Sequence, residues 1–353
     1  MLSEDSASRQ ITVLVVDDSA VVRQVLEAVL SQEPDLVVMV AADPLIAQRK
    51  MARIRPDVIV LDLEMPRMDG LAFLRKVMAT DPIPTVICSG VAGRGTQAAL
   101  RALEEGAVGI VTKPKLGLRD FLYESGLVLT DMVRAAARAR ISRPFFPSDL
   151  TMRKSASPQP RHQRPDVATR RIVAIGASTG GTEALTEILT AMPKDSPGIA
   201  VVQHMPEVFT AAFAERLNQL SQIEVKEAEH GDLISPGRAL IAPGNRHMSV
   251  RRRGEQVLVE IADGPLISRH RPSVDVLFRS VAQAAGANGL GIILTGMGND
   301  GAQGLLEMKK SGAETVAQDE ASCVVFGMPR EAIACGAVDF VLPLSKIPAK
   351  ISL

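Results

Sequence analysis

Ile11-Thr12-Val13-Leu14-Val15-Val16-Asp17-Asp18-Ser19 is an apolar, β-branched run that stops on two carboxylates. It reads as a buried strand. After it, Val22, Val25, Leu26, Val29 and Leu30 recur at helical spacing on one face. Strand-like runs follow at Leu36–Val40, Val58–Leu61, Thr85–Cys88 and Gly109–Val111, with helical stretches between them. A last helix is expected over about Arg119 to Ala139. Five strands joined by crossover helices predict a doubly wound parallel sheet.

Beyond that helix the composition changes. Ser142 to Arg170 is rich in Pro, Ser, Arg and Gln, with little apolar periodicity. Such a segment buries too little surface to offset its ordering entropy and reads as a linker. A second α/β pattern then begins. Ile172–Ile175, Ile199–Val202 and Leu290–Leu294 are buried-strand candidates, and Thr182 opens a helix with Leu185, Ile188, Leu189 and Met192 on one face. Met248 to Ile261 alternates around Arg252–Gly254 as a β-hairpin does. The expectation is two doubly wound parallel-sheet α/β domains, 1–138 and 169–353, joined by a linker at 139–168, the second domain carrying an added hairpin. A length of 353 residues suits two cores better than one.

Bulk properties exclude several classes. Lys plus Arg and Asp plus Glu are both 40, so no net charge points to nucleic acid or an anionic membrane. No apolar run approaches the ~18 residues that span a bilayer, and Met1 to Gln10 lacks the apolar core of a signal peptide. Cys88, Cys323 and Cys335 show neither metal-ligand nor redox spacing and read as small buried residues. A cytoplasmic protein with no direct membrane insertion is expected.

In an open α/β sheet, ligands bind at the carboxyl ends of the strands. Asp17 and Asp18 follow the first strand of domain one, Asp62 the third, Ser89 the fourth and Lys113 the fifth. Three carboxylates at close quarters repel unless a cation neutralises them, and Mg²⁺ suits oxygen ligands. The metal would clamp a phosphoryl group while one carboxylate attacks it. Lys113 would neutralise one phosphoryl oxygen, and the Ser89 hydroxyl would bond another.

Val15-Val16-Asp17-Asp18-Ser19, Leu61-Asp62-Leu63-Glu64-Met65-Pro66-Arg67-Met68-Asp69-Gly70 and Val111-Thr112-Lys113-Pro114 resemble a response-regulator receiver domain, over roughly Ile11 to Leu129. The resemblance implies a flavodoxin-like fold. It implies that Asp62 accepts phosphate from a sensor histidine kinase, and that Asp17, Asp18, Asp62 and the Glu64 carbonyl hold Mg²⁺. Ile110 departs from the aromatic switch residue that many receivers carry.

Domain two contains Gly176-Ala177-Ser178-Thr179-Gly180-Gly181 between a strand and a helix. This is the G-x-S-x-G spacing of a nucleophile elbow, where small residues permit a sharp turn. A Gly-rich strand-to-helix turn can instead cradle a phosphate. Here it lacks the Lys of a Walker A motif and the G-x-G-x-x-G pattern. A serine nucleophile needs a base and the base an orienting acid. His204 follows the strand Gly198–Val202, and Asp300 follows Leu290–Leu294. In the glycine-rich stretch Gly296 to Gly301, the Met297 N–H is the leading oxyanion donor, with Thr179 a weaker candidate. The chemistry needs no cofactor. His162, His230 and His247 read as structural or solvent-facing, as does His270, whose basic stretch Ser268-Arg269-His270-Arg271-Pro272-Ser273 is also a candidate to line the cleft.

Ala174-Ile175-Gly176-Ala177-Ser178-Thr179-Gly180-Gly181, Gln203-His204-Met205, Ala242-Pro243-Gly244-Asn245, Arg271-Pro272-Ser273-Val274-Asp275, Leu294-Thr295-Gly296-Met297-Gly298-Asn299-Asp300-Gly301 and Phe326-Gly327-Met328-Pro329 look like the chemotaxis methylesterase domain, from about Arg171 to Leu353. The family's triad falls on Ser178, His204 and Asp300. The resemblance implies hydrolysis of glutamate 5-methyl esters, and deamidation of particular glutamines, on the methylated cytoplasmic helices of chemoreceptors. It implies activation by phosphorylation of the receiver. A catalytically silent receptor-binding adaptor and a nucleotide-binding enzyme are the competing classes.

Overall fold

The computed structural model describes residues 10–65, 69–90, 94–113, 119–141 and 171–352. Residues 142–168 of the expected linker, with His162, lie outside these, as do Pro66, Arg67, Met68 and Pro114. The chain divides into two compact units, Met1–Arg143 and Pro144–Leu353.

In the first unit the strands are β1 (Ile11–Val16), β2 (Leu36–Ala41), β3 (Val58–Leu61), β4 (Thr85–Ser89) and β5 (Gly109–Thr112). They lie in the order β2-β1-β3-β4-β5, and every pairing is parallel. This is the flavodoxin-like order, whose switch point lies between β1 and β3. Helices α1 (Ala20–Leu30), α2 (Pro44–Met51), α3 (Gly70–Thr80), α4 (Arg94–Glu104) and α5 (Arg119–Ala137) connect and flank the strands. Ser19, Asp43 and Asp69 cap α1, α2 and α3, each accepting from a backbone N–H of the first turn. All five expected strands form, within a residue of the expected ends.

The second unit contains a seven-stranded parallel sheet in the order β14-β13-β12-β6-β7-β9-β8. Its strands are β6 (Ile172–Ala177), β7 (Gly198–Gln203), β8 (Glu224–Glu227), β9 (Arg238–Ile241), β12 (Gly289–Ile293), β13 (Glu314–Gln318) and β14 (Phe340–Leu342). The chain runs from β6 to β7 on one side and later crosses to β12 on the other. A switch point therefore opens beside β6, where a crevice is expected. The hairpin β10 (His247–Arg253) and β11 (Gln256–Ala262) forms as expected, antiparallel and outside the sheet. Its Met248, Val250, Val257 and Val259 share one core with Leu277, Phe278 and Val281 of α8 (Val274–Ala285). The Ser280 hydroxyl accepts from the Val250 N–H at 2.9 Å, and Arg252 donates to the Ala284 carbonyl at 2.6 Å. The hairpin thus fixes α8, whose N-terminus carries part of the site.

Strands β8, β9, β13 and β14 have no counterpart in the sequence reading. Edge strand β8, Glu-Val-Lys-Glu, buries one residue and has no apolar run, and edge strand β14, Phe-Val-Leu, is apolar but only three residues long. Parallel pairing to buried neighbours, not local pattern, makes them strands.

Candidate functional site

Ser178 stands one residue past β6 and is 7% exposed. Its N–H donates to the Thr295 carbonyl at 3.0 Å, and its own carbonyl accepts from the Gly181 N–H at 2.7 Å. This tight turn requires Gly180 at φ +76°, where a Cβ would come within 2.5 Å of Val324. Helix α6 (Gly181–Thr190) then begins. The Gln203 amide donates to the carbonyls of both Ser178 and His204, at 2.9 and 3.1 Å.

His204 follows β7 and continues the β6–β7 pairing. Ala177 faces Gln203, and the His204 N–H reaches the Ala177 carbonyl at 3.0 Å. The backbone thus sets His204 beside Ser178. On the ring, Nε2 lies 2.9 Å from Asp300 Oδ2, while Nδ1 is buried and has no hydrogen-bond partner among the described residues.

Asp300 is 1% exposed. Besides His204 Nε2, its carboxylate accepts from Ser273 Oγ at 2.7 Å, the Val274 N–H at 2.7 Å and the Asp275 N–H at 3.1 Å. The last two are orphan donors at the start of α8, so Asp300 caps a helix remote from it in sequence. Ser273, at the N-cap position, spends its hydroxyl on Asp300 rather than on its own helix. Burial opposes ionisation of Asp300, but the His204, Ser273 and Val274 hydrogen bonds prevail and hold the carboxyl below its usual range. An ionised Asp300 only accepts, so the Nε2 facing it carries the proton. Nδ1 is left with the lone pair, the reverse of the usual serine-protease assignment.

Gly296 packs against the serine: a Cβ there would lie 2.7 Å from Ser178 Cβ and 2.4 Å from Met328 Sδ. Its N–H is taken by the Val325 carbonyl. Among the described residues, the next N–H, of Met297, donates to no carbonyl. Thr179 is buried next to Ser178, and its carbonyl accepts from Thr295 Oγ1 at 2.9 Å.

In the first unit, Asp17, Asp18 and Asp62 bring carboxylate oxygens within 4.8 Å of one another. Asp17 and Asp62 are buried, and Lys113 Nζ lies 2.9 and 2.8 Å from them. The Oδ1 atoms of Asp17 and Asp62 accept from the Ser19 and Glu64 N–H groups, at 2.8 and 3.1 Å. Burial pushes the Asp62 carboxyl up, against the pull of Lys113. An all-oxygen donor set carrying excess negative charge fits a hard divalent cation such as Mg²⁺. Ser89 ends β4 at the same sheet edge. Ile110 is buried on β5, and burial pushes the neighbouring Cys88 thiol up to about 12, as suits an inert core residue.

Comparison with known proteins gives a consistent result. The family described as CheB methylesterase matches residues 173–351, and the response regulator receiver domain matches 13–119. A protein-glutamate methylesterase/protein-glutamine glutaminase of Anaeromyxobacter dehalogenans is 59% identical, over 98% of this chain and 97% of its own. The chain belongs to the CheB methylesterase family. A relative with the same description from Albidiferax ferrireducens is 56% identical, over 96% of this chain and 98% of its own. The CheB methylesterase catalytic domain of Thermotoga maritima superposes with a TM-score of 0.50 at 42% identity, over 51% of this chain and 96% of that one. The expectations of a receiver, a methylesterase-type hydrolase and two parallel-sheet α/β domains therefore hold.

In this CheB-family chain, the three residues read from sequence as nucleophile, base and acid come together beyond the carboxyl ends of β6, β7 and β12. Others shape the site in roles that the sequence does not assign, although the stretch holding His270 and Ser273 is a candidate there to line the cleft. His270 stacks on His204, with ring centroids 3.7 Å apart and planes 11° from parallel. His247 accepts the Ser273 N–H on Nδ1 at 3.2 Å and donates from Nε2 to the Pro265 carbonyl at 2.8 Å, fixing the loop that holds Asp300. Asp275 is buried beside Asp300 and accepts the Gly304 N–H at 2.7 Å. The signal that could have found Ser273 is its place before the apolar periodicity of α8, a helix-start pattern.

Asp275 supports a prediction on stability. Burial, with the Asp300 charge adding to it, raises its carboxyl above the usual range. Its folded value therefore exceeds its unfolded one, so its ionised form opposes folding at neutral pH and the opposition fades on acidification. Asp275→Asn, which keeps an oxygen for Gly304, is expected to raise the thermal midpoint at pH 7. The gain should vanish in the ordinary carboxylate range. A lower midpoint at pH 7 would show that the charge holds α8 and α9 (Ala302–Lys310) together.

Proposed function

We propose that this chain hydrolyses glutamate 5-methyl esters, and deamidates particular glutamines, on the methylated cytoplasmic helices of chemoreceptors in bacterial chemotaxis. The observation that carries the reading is the buried, unpartnered Nδ1 of His204, on a ring whose Nε2 is held by Asp300. A base so oriented is ready for one proton, and Ser178 is the adjacent hydroxyl.

The Ser178 Oγ–H proton passes to His204 Nδ1 as Oγ attacks the side-chain carbonyl carbon. The carbonyl oxygen takes up the electron pair and is met by the Met297 N–H, with Thr179 as second candidate. Its collapse expels the methoxy group, which leaves as methanol with the proton from Nδ1. Water then attacks the Ser178 ester by the same route and frees glutamate. For glutamine the departing group is ammonia. Asp300 stays ionised and balances the imidazolium. The esterase chemistry calls for no cofactor.

The receiver, residues 1–138, supplies control across the 139–168 linker to the catalytic domain, 169–353. Asp62 attacks the phosphoryl group of a sensor histidine kinase, and Lys113 and Ser89 engage the phosphoryl oxygens. Asp17, Asp18, Asp62 and the Glu64 carbonyl would hold Mg²⁺, which offsets the charge of the incoming group. New charge at Asp62 biases a two-state arrangement toward the active form. No helix among the described residues is long and apolar enough to cross a membrane, and a cytoplasmic enzyme with no nucleic-acid partner fits this reading.

The test is methanol release from methylated receptor membranes, with and without a small phosphodonor. Wild type is expected to release methanol faster with the donor. Asp62→Asn, which offers no carboxylate, is expected to keep the basal rate and ignore the donor. No release from several methylated receptors by demonstrably phosphorylated protein would favour a silent adaptor.

A further inference from the structure

We infer that His270 is a positioning residue for His204: its imidazole is a flat wall that holds the His204 ring with Nε2 on Asp300 and Nδ1 toward Ser178. The inference rests on the reading of Ser178, His204 and Asp300 as the hydrolytic machinery. It gives a role to a side chain that never touches the reacting atoms.

The need for such a wall follows from how little else holds the ring. The His204 backbone is tied to Ala177, but among the described residues the imidazole has one hydrogen bond, from Nε2 to Asp300 at 2.9 Å. The torsion that turns a histidine ring is broad. One bond leaves rocking about the Nε2–Asp300 direction open, and that motion swings Nδ1 away from the serine. A second ring lying parallel at 3.7 Å blocks it.

The segment presenting His270 is built for that placement. Ile267 and His270 exchange two backbone hydrogen bonds, at 3.1 and 2.8 Å. The residues between them, Ser268 and Arg269, have φ of +50° and +67°. This hairpin-like turn normally recruits Asn and Gly, and neither residue here is glycine. Such strain persists only where the surroundings over-determine it, and it gathers at functional sites. Ser268 Oγ reaches Asp275 Oδ2 at 3.4 Å on one side. On the other, Arg271 donates to Asn245 Oδ1 at 2.6 and 3.1 Å, and the Asn245 N–H returns to the Arg271 carbonyl. Both flanks of His270 are thus fixed to other parts of the unit.

The wall must also stay uncharged, because His204 becomes an imidazolium in each cycle. Burial first, then the charge of His204, holds the His270 imidazole well below the usual histidine range; Asp300 pulls the other way and Arg269 adds to the lowering. Two adjacent imidazolium rings are thereby avoided.

The test compares His270→Ala, His270→Gln and His270→Phe with wild type and Ser178→Ala in full-length protein, by methanol release from methylated receptor membranes. Loss of alignment is expected to cut kcat about 10- to 100-fold in the Ala and Gln variants, with KM within about twofold of wild type. The Phe variant, which restores a flat face without a titratable nitrogen, is expected to recover kcat to within about threefold. Nitrogen NMR of the ring should show one His204 tautomer, protonated at Nε2, in wild type and the Phe variant, and a mixture in the other two. Thermal midpoints report whether each variant folds, and if alanine does not, the Gln and Phe pair decides. Wild-type kcat in the Ala and Gln variants overturns the inference, as does a folded Phe variant no better than Gln. An active Ser178→Ala protein overturns the reading of the machinery itself, whereas a dead one beside an unimpaired Gln variant overturns only the role of His270.

Discussion

Ser178→Ala is expected to lower methanol release about 10⁶-fold while leaving the thermal midpoint of the catalytic unit unchanged. The two outcomes separate because the fold and the chemistry use different atoms of this residue. Its backbone N–H and carbonyl hold the turn, through Thr295, Gly181 and Gln203. Alanine keeps all three bonds. Among the described residues the Oγ makes no hydrogen bond, so its removal orphans no buried partner. The stability change should stay within about 0.5 kcal/mol. The residual rate would come from substrate binding and oxyanion stabilisation alone. Single-turnover release and a thermal scan on the same preparation check both halves. A variant that keeps a substantial share of the rate would move the nucleophile elsewhere.

Asp300→Asn should fail on both counts. Four donors converge on this carboxylate: His204 Nε2, Ser273 Oγ and the Val274 and Asp275 N–H groups. An amide accepts on one side only. With its NH₂ toward His204 it meets two donors head-on, and His204 relieves the clash by moving its proton to Nδ1. That tautomer cannot accept from Ser178, and kcat is expected to fall about 10⁴-fold. With its NH₂ on the other side, the Asp275 N–H loses its partner. Leaving a buried donor unsatisfied at the start of α8 costs about 2 kcal/mol, or roughly 4–8 °C in the midpoint of a unit this size. The pH dependence has a defined sign. A carboxyl held below its usual range stabilises above the unfolded value and loses that effect as pH falls through the folded one. The midpoints of wild type and Asp300→Asn should therefore converge in acid. A gap that persists there would mean that shape, not charge, holds α8.

Legibility in the sequence followed local signal. Val58–Leu61 and Thr85–Ser89 are buried throughout and read as strands wherever they occur. Glu224–Glu227 buries one residue fully, so its own pattern could not reveal it. The hairpin was legible from alternation, but its packing on α8 was not, because Val250 and Ser280 meet across thirty positions. In the site, Ser178, His204 and Asp300 each follow a recognisable strand, a rule that needs only sequence. The stretch holding His270 and Ser273 was readable as a candidate to line the cleft, but their roles, and that of His247, were not, because they depend on partners that no spacing brings near.

The sequence by itself determined that Ser178, His204 and Asp300 each follow a parallel strand, and that Asp17, Asp18, Asp62 and Lys113 gather at another sheet edge. Strand periodicity and the parallel topology carry both statements. Only the tertiary structure decided which edge of the His204 ring faces Asp300, and hence that Nδ1 is the nitrogen left to act as a base. It also decided that Asp300 caps α8 and that His270 covers the imidazole. Ring orientation and hydrogen-bond direction are set by packing between segments far apart, here 96 residues from His204 to Asp300. A local pattern specifies where a side chain starts, and its neighbours in space settle where it points.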